Sequence, residues 1–567
     1  MIELRRRDGA QTRLARWIGS WLVFLFFTPV TFACEVYSTL TGDQLSAYEF
    51  ESDARSWRNL ENKLVYPVGT IRIVRQEIFL QEANLLSTYS NKWHKLTSES
   101  VIRDVLLFRA GDSVNARVLA ETERVLRAKS YLYDARVIPR RVCDGVVDID
   151  VVVRDVWTLN PRLIINRSGS ENQFGIGLGD TNVFGSGKSL AFGFESNQDR
   201  EGTLLIYKDP NVAGTRLDFT TTLKDNDDGH FYSASLTRPF FALDTHWSIG
   251  VSASVFAREQ RLYSFGEEIA EFAAETKTGN LFGGYSHGVV NGFTTRWLTG
   301  FSFEQHEFTR LDAVIAPQPF PVDRTLAYPW IGVQRIQSDF DKTLNHDRIQ
   351  RTEDLRLGRR MFATLGYSAD AFGGDGKKLI ISGRWNDVER LGEQHLYSIS
   401  ADVHGYYNLD TNRAENLIVN GELKYRFRQA DRLSFFAQLR GGYSRRLTRD
   451  KQILLGGKTG LRGYPNRFQE GDRWAVLTIE QRYYSNLYPF KMFRLGAALF
   501  ADVGRAWFPS GRDDGEFGVL SNVGLGLRME STRTRRDRIA HLDFAFPLQD
   551  GPGVRGLEIT VTAKQSF

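Results

Sequence analysis

The sequence predicts a mainly β protein: a transmembrane antiparallel β-barrel of about 16 strands, preceded by a small α+β domain. Three observations predict it. An export signal at the N-terminus is followed by no second run resembling a transmembrane helix, so any later membrane insertion must use strands. From Pro161 to the last residue, strand-like segments alternate with Gly, Asn and Asp turns. The chain then closes on a strand that is apolar on one face and polar on the other, ending at Phe567.

The totals are compatible with this. At 567 residues the chain holds two or more folding units or one large barrel. Mean hydropathy is −0.33, a value typical of soluble proteins. A barrel produces it too, because alternate residues face a polar lumen and long loops face water. Aromatic residues make up 13% of the chain, and there are 51 Gly against 2 Cys. A net charge of +5 permits contact with anionic lipid or nucleic acid without demanding either.

Residues 1–33 read as a signal peptide. Arg5, Arg6, Arg7, Arg13 and Arg16 precede the apolar run Trp17 to Phe27, and Thr31-Phe32-Ala33 supplies the small residues of a cleavage site. Pro29 interrupts the run, which is short for a spanning helix. Cleavage after Ala33 would expose Cys34. Lipidation of that residue is one reading, although Thr31 stands where such signals prefer leucine. A Cys34–Cys143 disulfide is another, and two cysteines cannot choose between them. The segment 34–68 is expected in the periplasm. Leu45, Tyr48, Trp57, Leu60 and Leu64 fall at helical spacing there, as in a linker or capping helix.

Residues 69–157 form the α+β domain. Thr70 to Ile78 alternates as a strand. A helix follows over Thr97 to Leu107 with Thr97 or Ser98 as its cap, and a second over Asn115 to Lys129. Strands Tyr131 to Val142 and Val146 to Val153 flank the turn Asp144-Gly145. This order resembles a polypeptide-transport-associated (POTRA) domain, including the glycine between the helices and the Tyr-Leu-Tyr opening of the second strand.

The barrel is expected over 158–567. About 410 residues at roughly 25 residues per strand and connection give about 16 strands. Asn182-Val183-Phe184-Gly185-Ser186-Gly187 and Asn211-Val212-Ala213-Gly214-Thr215-Arg216 are near-copies, as similar hairpins in a meander would be. Glu267 to Asn280 and the Pro-rich Ala313 to Pro329 read as extracellular loops. In the last strand, from Gly556, the residues Leu557, Ile559, Val561, Ala563 and Phe567 share the lipid face.

The most distinctive stretch is Leu454 to Tyr484. Its centre, Leu461-Arg462-Gly463-Tyr464, lies among Gly, Arg and Asn and is followed by the alternating strand Trp474 to Tyr484. An arginine between flexible residues beside a strand points to a loop that folds back onto negative charge. Together with the Phe500-Ala501-Asp502-Val503-Gly504-Arg505-Ala506-Trp507 strand end, the 182–187 turn and the terminal Phe567, it resembles the BamA/TamA superfamily of outer-membrane β-barrels.

The resemblance implies that Arg462 reaches into the lumen and pairs with Asp502 and Glu480. It implies the bacterial outer membrane as the location, with the POTRA domain in the periplasm. The implied partners are outer-membrane lipid and lipopolysaccharide, unfolded polypeptide clients and a periplasmic partner protein. The implied function is insertion or translocation of polypeptides. A secretion or solute pore and a structural surface antigen are the alternatives. There is room for one POTRA domain, where assembly factors of this kind carry several and secretion pores usually two.

No catalytic constellation is present, and neither an enzyme nor a cofactor is expected. Gly185-Ser186-Gly187-Lys188-Ser189 has the end of a phosphate-binding loop, but Asn182 stands at the upstream glycine position and no helix follows. The nine His are scattered without metal-ligand spacing. Basic and aromatic residues interleave everywhere, as alternating strands require, so no nucleic-acid surface is indicated.

Overall fold

The computed structural model describes residues 34–46, 65–78, 94–312, 314–343, 345–349, 353–509, 518–532 and 539–564. The signal peptide over 1–33, most of the helical-spacing segment after Leu45, and Phe567 lie outside the described residues.

The N-terminal unit is a five-stranded sheet carrying three described helices, the shortest of them Gly42–Ser46. In spatial order its strands are Glu35–Val36, Leu132–Cys143, Val146–Asp155, Tyr66–Gln76 and Ser113–Val114. Glu99–Val105 is capped by Ser98, and Ala116–Arg127 by Asn115, whose side chain accepts the Val118 N–H. Ile102, Leu119 and Leu126 on these helices are fully buried against Leu132, Val137, Ile149 and Val151, at roughly 1.5–3 kcal/mol for each large side chain removed from water. Cys34 and Cys143 are joined by a disulfide, which fastens the short first strand to one edge of the sheet. The strand beside the opposite edge, Tyr66–Gln76, pairs on its outer side with Ser113–Val114 at Tyr66 and Pro67, and Val68 donates to the Asp112 carbonyl and accepts the Gly111 N–H.

Twenty antiparallel strands then close a barrel, against about 16 expected. The difference lies in the connections. Gly169-Ser170, Phe265-Gly266 and Asn291-Gly292 join strands by two residues with positive φ, the tight hairpin geometry that matches strand twist. Roughly 25 residues per strand and connection therefore overstated the spacing. The tenth strand is interrupted at Ser338, and both pieces, Arg324–Gln337 and Asp339–Thr343, pair with Glu353–Ser368.

The wall is uneven. Its first strand, Leu159–Ser168, has 10 residues and its last, Glu558–Lys564, has 7, close to the 9–11 residues a tilted strand needs to span a membrane. Strands Trp247–Ser264 and Glu267–Val290 have 18 and 24 residues and must project beyond the bilayer. The stretch Glu267 to Asn280, expected as a loop, is thus strand. In water its outer face can be acidic, which hides the alternation. At Ala313 to Pro329, the irregular connection ends where a strand starts at Arg324.

Outward-facing side chains carry large apolar groups all round: Ile331 is 65% exposed, Leu499 64% and Trp297 60%. Their neighbours along each strand point inward. No described helix is long and apolar enough to cross a membrane. An apolar belt on the outside of a closed sheet has one solvent that suits it, lipid.

The two near-copy turns have a shared use. Asn182 donates from Nδ2 to the Thr97 hydroxyl at 2.8 Å, and the Gly185 carbonyl accepts the Ser98 N–H at 2.9 Å. Asn211 donates to Asp104 at 3.0 Å, and Arg216 to the Leu106 carbonyl at 2.7 Å. Arg127 forks onto Asp354 at 2.7 and 2.6 Å, and Arg117 pairs with Asp244 at 2.7 Å. The N-terminal domain is therefore seated against the near mouth of the barrel. Gly185 has φ +73°, and a Cβ there would stand 2.4 Å from the Leu96 carbonyl oxygen. Asn182 is buried and also accepts the Gly187 N–H at 2.6 Å. Asn182→Ala is expected to weaken this seat by about 1–3 kcal/mol, the cost of stranding buried polar partners. The readouts are faster limited proteolysis near residue 157 and faster hydrogen exchange over 180–188.

Candidate functional site: an arginine loop in the lumen

The segment between strands Leu433–Arg445 and Arg473–Tyr484 turns inward from the far end of the barrel. A short ladder, Leu454–Leu455 with Gln469–Glu470, closes its base. Leu455, Leu461, Tyr464 and Phe468 bury themselves against Val476, Ala506 and Leu520 of the wall. The Tyr464 hydroxyl lies 2.8 Å from the Ser521 carbonyl oxygen and 2.6 Å from Gln549 Oε1. Gly463 passes so close to the wall that a Cβ would be 2.8 Å from that of Asn522. Only glycine fits there.

This anchoring delivers the side chain of Arg462, 5% exposed, to a cluster of carboxylates. Nε and Nη2 donate to the two oxygens of Asp502 at 2.8 and 2.9 Å, and Nη1 donates to Glu480 at 3.0 Å. Asp543 is 3.5 Å from Nη1, and the guanidinium lies over the Phe500 ring, 3.4 Å from its centroid. The carboxylates have further partners. Thr478 and Asn522 each donate to Asp502 at 2.9 Å, Arg482 grips Glu480 at 2.8 Å, and Arg528 holds Asp543 at 2.5 Å. Three buried arginines and three buried carboxylates therefore alternate, and the cluster is neutral. A bidentate fork on a planar carboxylate is the geometry that favours arginine over lysine.

Arg462, Glu480 and Asp502 thus meet in one place. Asp543, Arg482, Arg528, Asn522 and Phe500 complete it without having been singled out. Arg482 follows Glu480 at the two-residue spacing of one strand face, and Asp543 interrupts the apolar run His541–Phe546 on the inward parity. Both were readable signals.

The same loop reaches the place where the barrel closes. Asn466 donates from Nδ2 to the Ser168 carbonyl at 2.8 Å, and Lys458 pairs with Glu171 at 2.8 Å. Gly169, at φ +55°, packs so tightly that a Cβ would sit 2.4 Å from the Asn466 nitrogen. The turn between the first two strands is therefore clamped by the arginine loop. From the other side, Glu558 of the last strand accepts the Ser170 N–H at 2.6 Å and its hydroxyl at 3.0 Å.

The closure itself is thin. Among the described residues the first and last strands share one register pair, Arg167 with Val561, whereas the first hairpin is paired from Leu159–Asp180 through Ser168–Glu171. On the last strand, Ile559 and Ala563 are exposed, Val561 is half-buried and Leu557 lies just outside the strand, exposed. Glu558 and Thr560 are buried on the lumen side. Gly556 has open space around it.

Residues 359–567, from the eleventh strand to the terminus, match the Omp85 superfamily domain. The match covers half of the barrel. The matched residues contain the arginine loop, both acidic strands and the closing strand, and the match agrees with the BamA/TamA resemblance and with an outer-membrane location. No curated protein sequence matches the chain. Among solved structures, BamA from Haemophilus ducreyi lacking POTRA domains 1–3 is 11% identical with a TM-score of 0.37, covering 87% of this chain and 84% of that one. CdiB from Acinetobacter baumannii is 15% identical with a TM-score of 0.43, covering 88% and 74%. CdiB from Escherichia coli is 13% identical with a TM-score of 0.37, covering 92% and 94%.

Proposed function

We propose that this chain inserts or translocates polypeptides at the outer membrane, admitting them at the junction of its first and last strands. One observation carries the reading: among the described residues a single register pair closes a wall whose other strands are extensively paired. Backbone groups left unpaired in a bilayer are costly unless another strand takes them up, so such a junction favours an incoming strand. The N-terminal domain, similar to a POTRA domain, would dock the client in the periplasm. Residues 69–75 of its strand Tyr66–Gln76, beyond the short outer pairing, would offer main-chain groups for that purpose.

A passive solute pore fits less well. The arginine loop enters the lumen from one end, and the segment 345–349 enters from the other, where the Ile349 N–H binds Glu530 at 2.7 Å and Arg348 pairs with Glu530 at 3.2 Å. The test is to delete the gene and quantify the outer-membrane and secreted proteomes. Loss of one or a few β-rich proteins is the expected result and names the client. An unchanged proteome with altered permeability would replace this reading with a pore.

A further inference from the structure

A cavity of about 850 Å³ lies between the long helix of the N-terminal domain and the near mouth of the barrel, and its charge is unbalanced. Arg124, Arg127, Arg296, Arg348, Arg356 and Arg360 line it, against Glu121, Glu353 and Asp354. The three carboxylates are already engaged. Asp354 holds Arg127 bidentately, Glu121 accepts the Leu243 N–H at 2.5 Å, and Glu353 accepts the N–H groups of His346, Asp347 and Arg348. Arg348 in turn pairs with Glu530.

Four guanidinium groups remain without a carboxylate among the described residues: Arg124 from the domain, and Arg296, Arg356 and Arg360 from the barrel. Arg356 lies within Coulombic reach of the other three, and Glu121 is the carboxylate that offsets part of their mutual repulsion. Nor are they loose. Arg124 and Arg356 sit over the Phe340 ring at 3.8 and 5.2 Å, and Arg296 sits over Phe240 at 4.6 Å. A ring face orients a guanidinium without neutralising it, leaving the N–H edge free. Arg296 is 8% exposed and donates to Gln334 and the Ala242 carbonyl, while its Nε is buried without a partner. Preorganised, uncompensated arginines around a cavity of ligand size are what a multivalent anion needs.

We propose that this chamber binds a phosphate-type anion, bridging Arg124 of the N-terminal domain to Arg296, Arg356 and Arg360 of the barrel. The bound group ties the domain to the barrel mouth and relieves the repulsion among the four arginines. Its source is either a free phosphate compound or the phosphorylated headgroup of a lipid. This site does not depend on the polypeptide-insertion reading.

The test uses the full chain in detergent, titrated calorimetrically with inorganic pyrophosphate. Saturable binding that weakens with salt is expected, together with a tenfold or greater loss of affinity in Arg296→Gln/Arg356→Gln/Arg360→Gln. Arg359→Gln, on the same strand but the opposite face and paired with Asp387, should bind like the parent. The corresponding Arg→Lys triple keeps the charge and guards against misfolding, since it should fold and still bind more weakly than the parent. Lipid nanodiscs separate the sources. A phosphomonoester lipid that blocks pyrophosphate binding identifies a headgroup site, and pyrophosphate binding unaffected by that lipid identifies a free anion. Absence of binding, or equal affinity in the parent and the glutamine triple, overturns the proposal. So does an oligo-glutamate peptide that binds there and is not displaced by pyrophosphate, which would make the chamber a peptide site.

Discussion

Arg462→Ala is expected to lower the stability of the folded barrel by about 3–5 kcal/mol, the cost of leaving one side of a buried ion pair uncompensated. Asp502 would lose its bidentate partner, and Glu480 and Asp543 would lose the cation that lies between them. The neutral cluster would become one with an excess negative charge in an enclosed lumen. The loop would keep Leu461 and Tyr464 in their apolar seat, so release of the tip without loss of the base is expected. Arg462→Lys should cost less, because charge is retained while the fork onto Asp502 is lost. The check is the unfolding midpoint from heat-dependent gel mobility, combined with a double-mutant cycle against Asp502→Asn. A coupling energy near zero would mean that the contact does not carry the effect. A second readout divides two roles. If the cluster only pins the loop, Arg462→Lys should insert clients at the parental rate at a permissive temperature. A client defect without a stability defect would make the loop a working part of transport.

The sequence made the site more legible than the wall around it. Arg462 stood out because a charged residue between apolar and glycine positions has few uses other than meeting an opposite charge. Asp502 and Glu480 came from the superfamily resemblance, which implies acidic partners for the loop arginine on nearby strands. Asp543 and Arg528 did not follow, because their proximity depends on the register between strands Leu520–Ser531 and Ile539–Pro547, where Gly526 pairs with Asp543. Register is set by turns and packing over the whole hairpin, and a single strand does not display it. Strand number escaped for a related reason. Alternation fades once a strand leaves the membrane, as over Glu267 to Asn280, and two-residue turns such as Phe265-Gly266 leave no loop to count. The docking of the N-terminal domain was half visible: the repeated turns were evident, but their partners Thr97, Ser98 and Asp104 lie on another domain.

Locking the barrel closed by Arg167→Cys with Val561→Cys is expected to abolish client insertion under oxidising conditions and to restore it on reduction. These residues are register partners across the junction, at a separation that antiparallel pairing brings within reach of a disulfide. Each ladder hydrogen bond contributes about 0.5–1.5 kcal/mol net. A junction with one register pair among the described residues therefore opens at a small cost, whereas the adjoining hairpins, paired along their length, do not. A cost of a few kcal/mol leaves the open form populated at roughly 0.1–10%, enough to be captured by a strand that pairs with the exposed edges. The disulfide removes that population without touching the lumen cluster or the domain edge. The control is Asn166→Cys with Gln173→Cys, a register pair inside the first hairpin that adds a disulfide but does not cross the junction. It should leave insertion intact. If the junction lock and the hairpin control behave alike, clients do not pass between the first and last strands. The clamp made by Asn466, Lys458 and Glu558 on the turn at 168–171 would then serve only to hold the barrel shut.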